Sequence, residues 1–96
     1  MFRQKKVVIG VLLGGFSSER EISIKSGSAV ANALHSLGYS IQTIDVTSSN
    51  IPELDKSKID IAFIALHGKF GEDGGVQALL EKKGIWINLI IRPALL

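Results

Sequence analysis

Val7-Val8-Ile9-Gly10-Val11-Leu12-Leu13-Gly14-Gly15-Phe16-Ser17-Ser18-Glu19-Arg20-Glu21 is the stretch on which the fold turns. Its first seven residues are almost all apolar and rich in β-branched side chains. A run of that kind reads as a strand buried on both faces, as in parallel sheets covered by helices. Gly14-Gly15 then lets the chain bend sharply, because neither residue carries a Cβ. Ser18 and Glu21 have the Ser-x-x-Glu spacing of a capping box, and Ser23 is a second candidate cap, so a helix is expected to begin between 18 and 23. Apolar residues at Ile22, Ala29, Val30, Ala33, Leu34 and Leu37 recur at near-helical spacing until Gly38, and define the face expected to turn inward. The unit is therefore β-turn-α, with a glycine turn at the carboxyl end of the strand, where ligands bind in open α/β sheets.

The rest of the chain repeats the alternation. Tyr39–Val46 alternates apolar and polar residues and reads as a strand at or near a sheet edge. Thr47–Ser57, with Pro52 and several small polar residues, reads as a loop. Asp60–Leu66 is a second buried strand, and it runs straight into His67-Gly68-Lys69-Phe70-Gly71-Glu72-Asp73-Gly74-Gly75. Val76–Lys83 reads as a two-turn helix with Val76, Leu79 and Leu80 inward, ended by Gly84, and Ile85–Ile91 as a fourth strand. Strands alternating with helices imply right-handed crossovers and a parallel sheet. The expected fold is thus α/β, a small open parallel sheet of four strands with flanking helices, in one domain over residues 1–96. With the first strand between the second and third, the two glycine loops face one crevice and bring Glu19 near His67.

Composition narrows the function. A net charge of +2 in 96 residues, without a basic stripe interleaved with aromatics, argues against a nucleic-acid partner. No apolar run approaches the ~20 residues of a membrane helix, so no membrane is expected. The basic residues before Val7 mimic the start of a secretory signal, but the acidic stretch after Gly15 has no small-x-small cleavage site. A cytoplasmic location is expected, and the absence of cysteine fits it. Neither the dinucleotide pattern G-x-G-x-x-G nor the phosphate-loop pattern G-x-x-x-x-G-K-[ST] is present. His35 has no partner at ligand spacing, so no metal site is expected in this chain. What converges at the two loops is a carboxylate, an imidazole and bare backbone N–H groups.

Two motifs carry a family resemblance. Leu12-Leu13-Gly14-Gly15-x-Ser17-x-Glu19-Arg20-Glu21-x-Ser23-x-x-Ser26-Gly27, together with Ala65-Leu66-His67-Gly68-x-x-Gly71-Glu72-Asp73-Gly74-x-Val76-Gln77, closely resembles the amino-terminal domain of D-alanine–D-alanine ligases. The resemblance covers roughly residues 7–85. It implies the Rossmann-like fold that precedes an ATP-grasp body. It also implies a reaction in peptidoglycan synthesis in which ATP phosphorylates the carboxylate of one D-alanine and the amine of a second attacks the acyl phosphate. Carried over, Glu19 is the catalytic-site residue that holds the ammonium of the first D-alanine, with His67 and Ser23 in the same subsite. Gly14, Gly15, Gly68, Gly71, Glu72, Asp73 and Gly74 shape the loops. The amino end of the first helix adds its dipole near anionic groups.

The intact family implies ATP and magnesium (or manganese), neither of them bound by this chain, and a homodimer. The resemblance stops after Ile85: residues 86–96 are an atypical tail, and the ATP-binding lysines, magnesium carboxylates and oxyanion-stabilising arginine that the reaction needs are not in this sequence. The expectation is therefore a truncated ligase, inactive alone. Two other readings stay open, a stand-alone binding or regulatory module of the same fold and a fragment of a D-alanine–D-lactate ligase.

Overall fold

The computed structural model describes residues 7–68 and 74–90, with side chains described up to Ile87 in the last strand. The element order is β1 (Val8–Gly14), α1 (Arg20–Ser36), β2 (Ser40–Val46), β3 (Ile61–Ile64), α2 (Gly75–Lys83) and β4 (Trp86–Ile90). All strand pairs are parallel and the order across the sheet is β2-β1-β3-β4. β1 is thus internal, as its continuous apolar run requires, and β2 lies at an edge, as its alternation requires. β4 forms the other edge. Between Ala62 and Phe63 its register slips, so that Ala62 faces Ile87 and Phe63 faces Leu89. The extra residue on β4 interrupts its in-out alternation at that point. Ile91 lies outside the described residues.

One face of the sheet carries most of the core. Leu12, Ile44, Val46, Ala62 and Ile64 pack there with Ile51, Leu54, Ile59, Val76, Leu80 and Ile85. The segment between β2 and β3 is a loop, as expected, yet Ile51 and Leu54 are buried in it and make it part of the core. Lys83, in the last turn of α2, secures that segment by donating to the carbonyls of Ile51 (3.3 Å) and Leu54 (3.2 Å). Gly84 (φ 73°) closes α2 in the left-handed region, which a glycine adopts without strain.

α1 covers the other face, but not with the residues that the apolar pattern selects. Ser23, Gly27 and Ala31 are its buried positions, Val30 and Leu34 are half-buried, and Ile22, Ala29, Ala33 and Leu37 are exposed. Small residues win the inward face because the helix sits directly on β1. A Cβ at Gly27 would lie 2.5 Å from Leu13 Cβ and 2.9 Å from Leu13 Cδ2. α1 starts within the expected window, at Arg20, but its capping differs from the expectation. Its cap is Glu19, without a side-chain cap bond, and neither Ser18 nor Ser23 caps the helix. The hydroxyl that serves the entering backbone is that of Ser17, which accepts from the Glu19 N–H at 3.2 Å.

The contact at Gly27 gives a stability test. In Gly27→Ala the helix gains propensity, worth ~1 kcal/mol, but the new methyl must displace Leu13 or the helix backbone. Overpacking of this kind costs ~1–3 kcal/mol, and the net change in urea unfolding is expected to be destabilising. An unchanged or raised midpoint would show that α1 does not rest on β1 this closely.

Candidate functional site

The site is assembled at the carboxyl ends of β1 and β3, and it begins with a serine inside α1. The Ser23 hydroxyl, fully buried, accepts from the Gly14 N–H at 3.0 Å and donates to the Ala65 carbonyl at 2.5 Å. One side chain on the first turn of α1 thus ties together the ends of two neighbouring strands. At the opposite end Asp60 does the corresponding work, its carboxylate accepting from the Val8 N–H at 2.8 Å. Ser23, which the resemblance places in the substrate subsite, is fully buried in this structure. Its hydroxyl is committed to backbone and has no exposed surface.

A second serine joins the two glycine loops. Ser17 Oγ donates to the carbonyl of His67 at 3.2 Å while accepting from the Glu19 N–H. Gly68 sits against this link at φ 90°, and a Cβ there would lie 2.5 Å from Ser17 Oγ. Glycine is therefore required at 68 by both conformation and space. Gly14 is fixed for the same two reasons: at φ 85° its missing Cβ leaves room for the Asp45 carboxylate and for Arg20 Nη1. Arg20 spans this turn, donating to the Gly15 carbonyl at 3.0 Å and gripping Asp45 through two bonds of 2.8 and 2.7 Å. The hydrogen bond from Arg20 lowers the Asp45 carboxyl below the usual carboxylate range, against an opposing desolvation and with a further, lesser pull from the Arg20 charge.

Within this frame Glu19 stands at the amino end of α1, half-buried, and no described residue pairs with its carboxylate. His67 is buried (2 % exposed), with Nε2 3.3 Å from Ser26 Oγ. The Ser17 hydroxyl links the backbone of the two, accepting from the Glu19 N–H and donating to the His67 carbonyl, so the two loops meet at this serine. Gly74 (φ 93°) caps the start of α2. Gly71, Glu72 and Asp73 lie outside the described residues. Sequence reasoning placed Ser17 and Ser26 in a motif without a role; their signal was a hydroxyl at fixed spacing from Glu19, visible as a pattern but not as a function.

An open cleft of about 560 Å³ lies elsewhere, at the amino ends of β1, β3 and β4, lined by Val7, Lys56, Ile59, Ile61, Trp86 and Ile87 among others. Ligands in open α/β sheets sit beyond the carboxyl ends of the strands, so the loop junction and not this cleft is the candidate site. Among the described residues no three of His, Cys, Asp and Glu come together as a metal site, and no helix is long and apolar enough to cross a membrane.

Two experiments probe this frame. Ser23→Ala keeps the Cβ but leaves the buried Gly14 N–H without its acceptor; a loss of ~1–3 kcal/mol of unfolding free energy is expected in chemical denaturation. A change near zero would mean that the bridge does not hold the strand ends. The second concerns acid. The folded Asp45 carboxyl titrates below its unfolded value of ~3.9. Its contribution is present above that value and lost as pH falls through the folded one. Both partners of this pair are exposed by more than a third, so the effect is modest. Asp55, held low chiefly by the Ser57 backbone N–H, loses stability in the same acid window. Asp45→Asn is therefore expected to flatten the acid limb of the stability profile in part, and an unaltered limb would remove Arg20–Asp45 from the account.

The geometry can be set beside known proteins. No protein-family model matches the chain. Over 77 residues it is 54 % identical to the D-alanine–D-alanine ligase of Geotalea uraniireducens, a match that covers 80 % of this chain and 25 % of that protein. The ligase of the same name from Moorella thermoacetica is 57 % identical over 77 residues, with the same two coverages. Among solved structures, the D-alanine–D-alanine ligase of Bacillus anthracis complexed with ATP superimposes with a TM-score of 0.76 at 39 % identity, over 88 % of this chain and 28 % of that one. The chain thus spans about a quarter of the length of the relatives it matches. In sequence and in fold, these residues correspond to the amino-terminal region of the D-alanine–D-alanine ligases.

Proposed function

We propose that this chain provides the wall that receives the first D-alanine in a cytoplasmic, ATP-dependent D-alanine–D-alanine ligase. The observation that carries the reading is the Ser17 link, which ties the backbone of Glu19 to that of His67 at the carboxyl ends of β1 and β3, with a Glu19 carboxylate that has no partner among the described residues. A carboxylate placed there suits an ammonium group, because charge-assisted N–H···O bonds in a partly dry crevice are stronger than neutral ones. Holding the ammonium fixes where the carboxylate of the same amino acid lies. That positioning is the contribution of this segment to a phosphoryl-transfer reaction that depends on alignment. The described residues form no cradle for magnesium, and the sequence contains no phosphate-loop pattern. The reading assigns nucleotide and metal to the remainder of the ligase, and no step is routed through these residues. The chain's own residues bind and orient, and a homodimeric assembly belongs to the intact enzyme.

The test uses the isotope-labelled chain and D-alanine alone. Amide signals of Gly14–Glu19 and of His67 and Gly68 are expected to shift at millimolar ligand, since one wall of a pocket binds weakly. Glu19→Gln should abolish those shifts. In a full-length ligase carrying this segment, the same substitution should raise the KM for the first D-alanine roughly 10- to 100-fold, matching the ~1.5–3 kcal/mol of a hydrogen bond to a charged group. The KM for ATP should change little. Shifts confined to the Trp86 cleft, or equal effects on both substrates, would overturn the assignment.

A further inference from the structure

His67 has two ring nitrogens in unlike surroundings. Nε2 lies 3.3 Å from Ser26 Oγ, whereas Nδ1 is buried and has no hydrogen-bond partner among the described residues. Which nitrogen carries the proton of the neutral ring is decided by what Ser26 can offer, because the bond made by one nitrogen sets the state of the other. A serine hydroxyl has one proton and two lone pairs. Ser26 sits inside α1, where its hydroxyl donates to the Ile22 carbonyl at 3.0 Å, with the Ser23 carbonyl farther away at 3.4 Å. A hydroxyl engaged with the carbonyl four residues back keeps its proton on the helix backbone. What remains for the imidazole is a lone pair. Nε2 must then be the donor, and Nδ1 the acceptor.

The opposite arrangement would bury an N–H at Nδ1 without an acceptor among the described residues, and orphaned buried donors are rarer in folded proteins than under-satisfied acceptors. We propose that Ser26 is a positioning residue that holds His67 as the Nε2–H tautomer, keeping the buried Nδ1 as a hydrogen-bond acceptor. Ser26 touches neither Glu19 nor any reacting atom in this scheme; it acts through the ring of His67. The consequence for D-alanine rests on the function proposed above, whereas the tautomer is a property of the chain alone.

The experiment is a long-range proton–nitrogen correlation spectrum of the labelled chain at pH ~8, above the usual histidine range, with His35→Gln identifying the His67 signals. The wild-type chain should show His67 with a protonated Nε2 and an unprotonated Nδ1, and a ring N–H proton that exchanges slowly with solvent. Ser26→Ala should lose the slow exchange and shift the ring nitrogens, and Ser26→Thr, which keeps the hydroxyl, should restore both. Backbone amide spectra check that each variant is folded. A proton on Nδ1 in the wild-type chain overturns the proposal even if Ser26→Ala fails to fold. Ring signals unchanged in a folded Ser26→Ala overturn it as well. Failure of D-alanine to bind, with the tautomer as expected, would count against the proposed function and not against Ser26.

Discussion

The bridge from Ser23 to Gly14 and Ala65 is the contact on which the site depends. A parallel sheet leaves the carboxyl ends of its strands with unpaired backbone groups, and a buried N–H without a partner costs as much as a lost hydrogen bond. Here one hydroxyl serves a donor on β1 and an acceptor just beyond β3. That arrangement demands a small residue on α1 at the point where the helix crosses the strand ends, and it draws the helix down onto the sheet. Gly27 and Ala31, further along the same face, then follow from the same closeness. The direction of the loop after Gly15, and with it the position of Glu19, is a consequence of where the helix has been pulled.

This explains what was legible in the sequence and what was not. Strand order and parallel pairing could be read because hydrophobic burial speaks directly through the apolar runs of β1 and β3 and the alternation of β2. The inward face of α1 could not, because hydrophobicity points to Ile22, Ala29, Ala33 and Leu37 while proximity selects Ser23, Gly27 and Ala31. The helical period was right and its phase was displaced by steric constraint, which a periodicity of apolar residues does not record. In the same way Ile51 and Leu54 lie in a stretch whose proline and polar residues announce a loop, and only the fold shows that the loop closes the core. At the site, Glu19 and His67 were recognisable by residue type. Ser17 and Ser26 were not, since a hydroxyl acquires its role from the groups it reaches.

The two loops are held by different chemistry, and the difference sorts structural residues from the group left for a ligand. Arg20 spends its charge on Asp45 and on the Gly15 carbonyl. Ser17 and Ser23 spend their hydroxyls on backbone. Gly14 and Gly68 supply conformations and clearances that a side chain would obstruct. Each of these groups is saturated by the fold itself. Glu19 is the exception: it stands at the amino terminus of α1, and among the described residues its carboxylate has no partner.

That exception bears on how this segment carries the proposed subsite. Every interaction that orients Glu19 and His67 among the described residues comes from the loop between β1 and α1, from α1 or from β2, and none from a segment beyond α2. The subsite wall is therefore preorganised by local chain, through bonds between neighbouring strand ends and the helix that follows them. Preorganisation of this kind reduces the ordering cost of binding, but it does not enclose the ligand. An ammonium bound at Glu19 remains open to water on the side that the sheet does not cover, where screening keeps each charge-assisted bond near its weak limit. Under the function proposed above, the affinity of such a subsite is set by what closes over it, while its preference for an ammonium comes from these residues.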